Sequence, residues 1–133
     1  MAYLKEYGVK TGKNGYYNIT REVELAVSQS GVRDGIAVVF CPHTTAGITV
    51  NENADPDVVR DMTFTMERDF PKLPEYRHTE GNSDAHVKST LTGVSLTLIV
   101  ADGHPLLGRW QGVYFAEYDS PRSRKFYVKV LEG

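Results

Sequence analysis

Three of the four histidines in this 133-residue chain sit in settings suited to chemistry. His43 follows the apolar run Ile36-Ala37-Val38-Val39-Phe40-Cys41 and Pro42, and it opens a loop of small residues, Thr44-Thr45-Ala46-Gly47. A side chain at the end of a rigid strand is held firmly and can face a cavity. His78 precedes Thr79-Glu80-Gly81-Asn82, and His86 follows Asp84 in what reads as the first turn of a helix. The positive end of a helix disfavours a second proton on imidazole, which keeps His86 in the neutral form that binds metal. Imidazole-only ligation suits a divalent cation such as zinc, first of all, or nickel, copper or iron; magnesium prefers oxygen. Three histidines with an open position also activate water. Asp84, Glu80 and Asn82 are the candidates to fix ring tautomers. The spacing of His78 and His86 is not itself a metal signature, however, and each histidine also makes sense as a separate loop or cap residue satisfied by hydrogen bonds. His104, between Gly103 and Pro105, reads as a solvated turn residue.

Those side chains need elements to position them. A helix is expected from Thr20, with Val23, Ala26 and Val27 on one face and Gly31 as its stop. A second starts at Asp55-Pro56, a cap followed by proline at the first helical position, and carries Val58, Val59, Met62 and Met66 towards Pro71. A third, shorter helix follows Asn82-Ser83 and ends at Gly93. The run 36–41 reads as a strand covered on both faces. Strands are also expected at 48–52, 94–100, 113–118 and 126–131, with Asp102-Gly103 as a hairpin turn. Helices and strands mix without strict alternation, which predicts an α+β fold over residues 1–133: one domain, a mainly antiparallel sheet, and two or three helices packed against it.

Composition narrows the function. Net charge is −2, which gives no bulk support for a nucleic-acid or anionic-membrane partner. The single cysteine, Cys41, rules out an internal disulfide and a Cys-based zinc site, and it is expected to be buried. The chain begins at Met1-Ala2-Tyr3 without a leader pattern, and no apolar run reaches membrane-spanning length, so a cytoplasmic protein is expected. Glu52, Asp55, Asp57 and Asp61 read as a solvated acidic face, and Arg122, Arg124 and Lys125 as a solvated basic turn with the capacity to hold an anion. Trp110 and its neighbouring tyrosines read as core or subunit interface. No phosphate-binding glycine loop, dinucleotide fingerprint or Ser-centred elbow is present.

Four segments taken in order resemble one family. His43-Thr44-Thr45-Ala46 is similar to the His-Thr-Thr-Ala segment of YjbQ-like proteins. His78-Thr79-Glu80-Gly81-Asn82-Ser83-Asp84-Ala85-His86 is similar to their His…Gly-Asn-x-x-Ala-His segment. Gly108-Arg109-Trp110-Gln111 and Glu117-Tyr118-Asp119-Ser120-Pro121-Arg122 resemble the closing Gly-Thr-Trp-Gln and Glu-x-Asp-Gly-Pro-Arg segments; Arg109 and Ser120 depart from the pattern at turns. The resemblance implies a homotrimer whose histidine motifs cluster in a pocket that takes a metal, with His43, His78 and His86 as ligands. It also implies a secondary thiamine-phosphate synthase activity, which joins a pyrimidine diphosphate to a thiazole phosphate and releases pyrophosphate. Such a reaction calls for carboxylates and basic groups, which Asp34, Glu52, Arg60, Arg122 and Arg124 supply only if folding brings them to the pocket.

Three functions follow as expectations. The first is a metal-dependent enzyme acting on a phosphorylated or otherwise anionic small molecule, with Asp84 and Glu80 in catalytic support and Thr44, Asn82 and Arg122 in binding. The second is a non-catalytic trimeric module that binds a small anion or metabolite near the N-terminus of the third helix. The third is a structural metal that pins the trimer.

Overall fold

The structure, a computed structural model, describes residues 2–133. Eight strands and three helices follow one another as β1 (Ala2–Thr11), β2 (Gly15–Asn18), α1 (Thr20–Ser30), β3 (Gly35–Phe40), β4 (Ala46–Glu52), α2 (Pro56–Asp69), α3 (Ser83–Thr92), β5 (Ser95–Ala101), β6 (His104–Pro105), β7 (Gln111–Glu117) and β8 (Arg122–Glu132). The strands form two sheets in the orders β1-β8-β3-β5-β6 and β2-β7-β4, and every pairing is antiparallel. This is the α+β architecture expected from the sequence.

Both sheets and α1 close on one core. Val39, Val128 and Phe126 from the larger sheet, Ile48, Val113 and Phe115 from the smaller, and Val23, Ala26 and Val27 from α1 are buried together. The Phe115 and Phe126 rings, 6.3 Å apart between centroids, tie the two sheets. Cys41 is buried at the edge of this core, as expected, and His104 is exposed.

Several expectations need correction. Strand β3 is covered on one face only: Ala37 and Val39 are buried, whereas Ile36 and Phe40 are 39% and 42% exposed. Its continuous apolar run therefore reflects an outer face that this chain leaves open. Trp110 is not core either, being 56% exposed with the Arg109 guanidinium 4.8 Å above its ring. Thr20 does not cap α1; the Asn18 carboxamide accepts from the Thr20 amide and hydroxyl instead, at 3.0 and 2.7 Å. Helix α2 starts as expected, with Asp55 accepting from the Asp57 amide at 2.9 Å, but it buries no residue fully. Among the described residues, no helix is long and apolar enough to cross a membrane.

Candidate functional site

His43 takes its position from an interrupted ladder. The β3–β8 pairing runs from Gly35↔Glu132 to Phe40↔Tyr127, a register that would carry Cys41 opposite Phe126 and the next residue opposite Lys125. That residue is Pro42, which has no N–H to give, and the ladder stops. The imidazole of His43 takes over the Lys125 peptide: the Lys125 amide donates to His43 Nε2 at 3.0 Å, and the same nitrogen lies 3.1 Å from the Lys125 carbonyl oxygen. Both ring tautomers are therefore supported at one place. With Nε2 accepting, Nδ1 carries the proton; with Nε2 donating to the carbonyl, Nδ1 is a free base. Burial, and then the Arg124 guanidinium, lower the His43 pKa below its ordinary value, so the ring is neutral near pH 7.

The loop that carries His43 is clamped to the end of α3. The Gly93 carbonyl accepts from the Ile48 amide at 3.1 Å, and Ser89 Oγ donates to the Ala46 carbonyl at 2.7 Å. A Cβ at Gly47 would lie 2.5 Å from the Gly93 oxygen, so only glycine permits this approach. At the other end of α3, Asn82 does not cap the helix with its side chain. Its Nδ2 donates to Asp119 Oδ2 at 2.9 Å, while its Oδ1 is buried without a partner. His86, one turn further on, faces the same space as His43.

Two arginines complete the wall. Arg124 is 8% exposed and grips Glu117, itself fully buried, with Nε to Oε1 at 2.7 Å and Nη2 to Oε2 at 2.6 Å. Its Nη2 also donates to Thr45 Oγ1 at 2.8 Å, and its Nη1 makes no hydrogen bond among the described residues. Burial raises the Glu117 pKa, but hydrogen bonds from Arg124, Thr11 and the Asp119 amide outweigh it and hold the carboxyl below its usual range. Arg122, more exposed, is held by Asp119 at 2.8 Å. His43, Thr44, Glu80, Asn82, His86, Asp119, Arg122 and Arg124 thus line one polar cavity of about 310 Å³. Its walls combine two imidazoles with arginines already oriented by carboxylates.

The family model described as "UPF0047 protein YjbQ-like" matches residues 5–133. The chain belongs to the YjbQ-like UPF0047 family. UPF0047 protein MJ1081 of Methanocaldococcus jannaschii is 54% identical over 129 residues, which cover 96% of this chain and 94% of that protein. UPF0047 protein YugU of Bacillus subtilis is 48% identical over 130 residues, covering 96% and 98%. Among solved structures, an uncharacterized YjbQ/UPF0047 protein of Clostridium acetobutylicum superposes with a TM-score of 0.93 at 54% identity, covering 96% of this chain and 99% of that one. A YbjQ-like protein of unknown function from Sulfolobus solfataricus P2 gives 0.95 at 28% identity, covering 100% and 99%.

Within this UPF0047 chain, the residues singled out from sequence divide into two groups. His43, Thr44, Glu80, Asn82, His86 and Arg122 reach the cavity. His78 stands beside it, its ring 5.4 Å from that of His86 and its Nε2 3.7 Å from Glu80. Asp84 turns to a different task. It is buried against Lys88, 3.6 Å away, and Lys88, with no exposed side-chain surface, also reaches Glu67 of α2 at 3.3 Å. Asp34, Glu52 and Arg60 stay outside the cavity.

As arranged, the imidazoles do not fit a shared zinc ion. Among the described residues, no three His, Cys, Asp or Glu side chains converge closely enough to hold one, and His43 Nε2 is engaged by the Lys125 backbone. Sequence reasoning missed Asp119 and Glu117 and took Arg124 for a solvated turn residue. One signal was available: Glu117 is a carboxylate inside an apolar strand, and such a charge is almost always paired when buried.

Proposed function

We propose that this UPF0047 protein is a small enzyme that binds a phosphorylated or otherwise anionic small molecule in the polar cavity and moves a proton at His43 and His86. The observation that carries this reading is Arg124, buried and immobilised by Glu117, with Nη1 left without a protein partner. A preoriented guanidinium needs little reorganisation to receive an oxyanion. Asn82 Oδ1, buried and unpartnered, invites a hydroxyl or amide donor from the same ligand. The Lys125 peptide supports His43 both as acid and as base, so a proton can be accepted and returned without the ring leaving its place.

Thiamine-phosphate synthase activity belongs to this anionic class and is part of the proposal at the level of substrate charge: the departing pyrophosphate would lie against Arg122 and Arg124. Zinc would enter only if ligand or metal binding drew His78 and His86 together with a third donor. The homotrimer is proposed as well, supported by the open row Leu131, Ile36 and Ile99, which are paired in register and 36%, 39% and 59% exposed.

The test is calorimetric titration of inorganic phosphate and pyrophosphate into tag-free protein, with and without one equivalent of zinc. Binding without metal that weakens in Arg122→Ala and His86→Ala supports the reading. Anion binding that needs zinc and vanishes in His86→Ala would replace it with a metal centre. Binding with no turnover of any phosphorylated compound would reduce it to a binding module, and absence of binding in every condition would end it.

A further inference from the structure

The polar cavity has a neighbour of different chemistry. A cleft of about 760 Å³ lies between the end of β3 and the C-terminal half of α3, lined by Phe40, Cys41, Pro42, Thr90, Gly93 and Val94 among others. Pro42, His43, Thr44 and His86 line both spaces, so the two meet at the imidazoles. Apart from His43 and His86, the cleft contains no titratable side chain except the Cys41 thiol, and burial pushes that group up to about 11, which leaves it neutral. Its other polar side chains are three hydroxyls, and those of Thr44 and Thr90 make no hydrogen bond among the described residues. The Ser89 hydroxyl donates to the Ala46 carbonyl at 2.7 Å, and the Cys41 amide to the Val94 carbonyl at 2.7 Å.

We infer that the substrate is bipartite: an anionic head in the Arg124 cavity joined to an uncharged, largely apolar body, ring-sized or larger, in the Phe40–Val94 cleft. The inference rests on the anion-binding reading and names the substrate class that reading leaves open. Volume supports it, because the combined space is in the range that holds whole metabolites and far exceeds what a bare oxyanion fills. Lining chemistry selects the body. An apolar ring gains by leaving water against Phe40, Pro42 and Val94, whereas a polyol would lose the hydration of several hydroxyls there, with only the Thr44 and Thr90 hydroxyls left to replace it. The geometry also places the head-to-body bond beside His43 and His86, the two side chains able to move a proton.

Calorimetry with inorganic phosphate, phenyl phosphate and glucose 6-phosphate tests this directly. Phenyl phosphate should bind on the order of tenfold or more tightly than inorganic phosphate, as burial of a ring-sized apolar surface implies. Glucose 6-phosphate should gain little over inorganic phosphate. Thr90→Trp, a substitution at an exposed helix position on the cleft wall, should remove most of the phenyl advantage by filling the space. Inorganic phosphate bound as tightly as phenyl phosphate would overturn the inference and leave the anion site standing. So would a phenyl advantage that survives Thr90→Trp, or glucose 6-phosphate bound as well as phenyl phosphate. Loss of all three ligands from the wild-type protein would remove both readings together.

Discussion

Glu117 and Arg124 face each other through two parallel hydrogen bonds, 2.7 and 2.6 Å long, with the carboxylate fully buried and the guanidinium nearly so. They sit on neighbouring segments, at the end of β7 and the start of β8, and each is tied further: Glu117 to Thr11 and the Asp119 amide, Arg124 to Thr45. Removing one partner leaves a buried charge uncompensated, which costs roughly 3–5 kcal/mol. Arg124→Met should therefore lower the unfolding free energy by about that much in guanidinium titration. The double variant Glu117→Leu/Arg124→Met should lose less than the two single changes added together, and strict additivity would show that the pair is not coupled.

The same pair sets an acid limit. The folded Glu117 carboxyl lies below its ordinary 4.5, so its contribution is complete above that pH and is lost as pH falls through the folded value. Wild-type stability should thus decline below about pH 4.5 more steeply than that of Glu117→Gln, measured by urea midpoints across the acid range. Parallel curves would contradict the assignment.

His43 offers a spectroscopic check. Burial and the Arg124 charge lower its pKa, so its ring resonances should titrate with a midpoint below the ordinary 6.5. Protonation is then easier in the unfolded chain, and the stability tied to neutral His43 falls as pH drops below 6.5. Arg124→Met should move the midpoint upward. Nitrogen chemical shifts should report Nε2 engaged with the Lys125 peptide, and a midpoint at or above 6.5 would place the ring in open solvent instead.

Lys88 links α2 to the site helix. Its ammonium has no exposed surface and lies 3.3 Å from Glu67 and 3.6 Å from Asp84, whose Oδ1 is already buried without a partner. Helix α2 has no fully buried residue of its own, and this contact joins the packing of Met66 against Ala85, Ala116 and Tyr118 and the Asn14–Glu67 hydrogen bond in docking it. Lys88→Met should destabilise the protein by roughly 3 kcal/mol. Hydrogen exchange should quicken in 56–69 more than in β8; uniform acceleration would mean that the lysine serves the whole core.

The row Leu131, Ile36 and Ile99 should disappear into a subunit interface. Light scattering after gel filtration is expected to give three chains per particle, and Ile99→Lys or Ile36→Lys should release monomers, since each buried side chain of this size contributes about 1.5–3 kcal/mol. A wild-type monomer at working concentration would remove the trimer.

Local punctuation was legible where its physics is local. Asp55-Pro56 marks the start of α2 because a cap and a proline act within one turn, and Gly31 ends α1 in the left-handed conformation, φ 74°. Strand β1 was not legible. Lys5, Glu6 and Lys10 interrupt its apolar positions, and Tyr3, Tyr7 and Val9 show their alternation only once β8 lies alongside. The partial covering of β3 was hidden for a related reason, since an apolar run reads the same whether its second face meets the same chain or is left open.

The sequence by itself determined the family, the fold class and the chemistry available: imidazoles, carboxylates and arginines, and no thiol or glycine-loop machinery. Only the tertiary structure decided which of those groups meet. It brought His43 and His86 to one cavity, left His78 at its rim, turned Asp84 away to Lys88, and lifted Arg124 out of an apparently solvated turn into the wall. The reason is that these contacts depend on strand register and helix docking between residues far apart in the chain, such as His43 against Lys125 and Asn82 against Asp119. Spacing along the chain carries residue type and local conformation, whereas convergence is set by long-range packing.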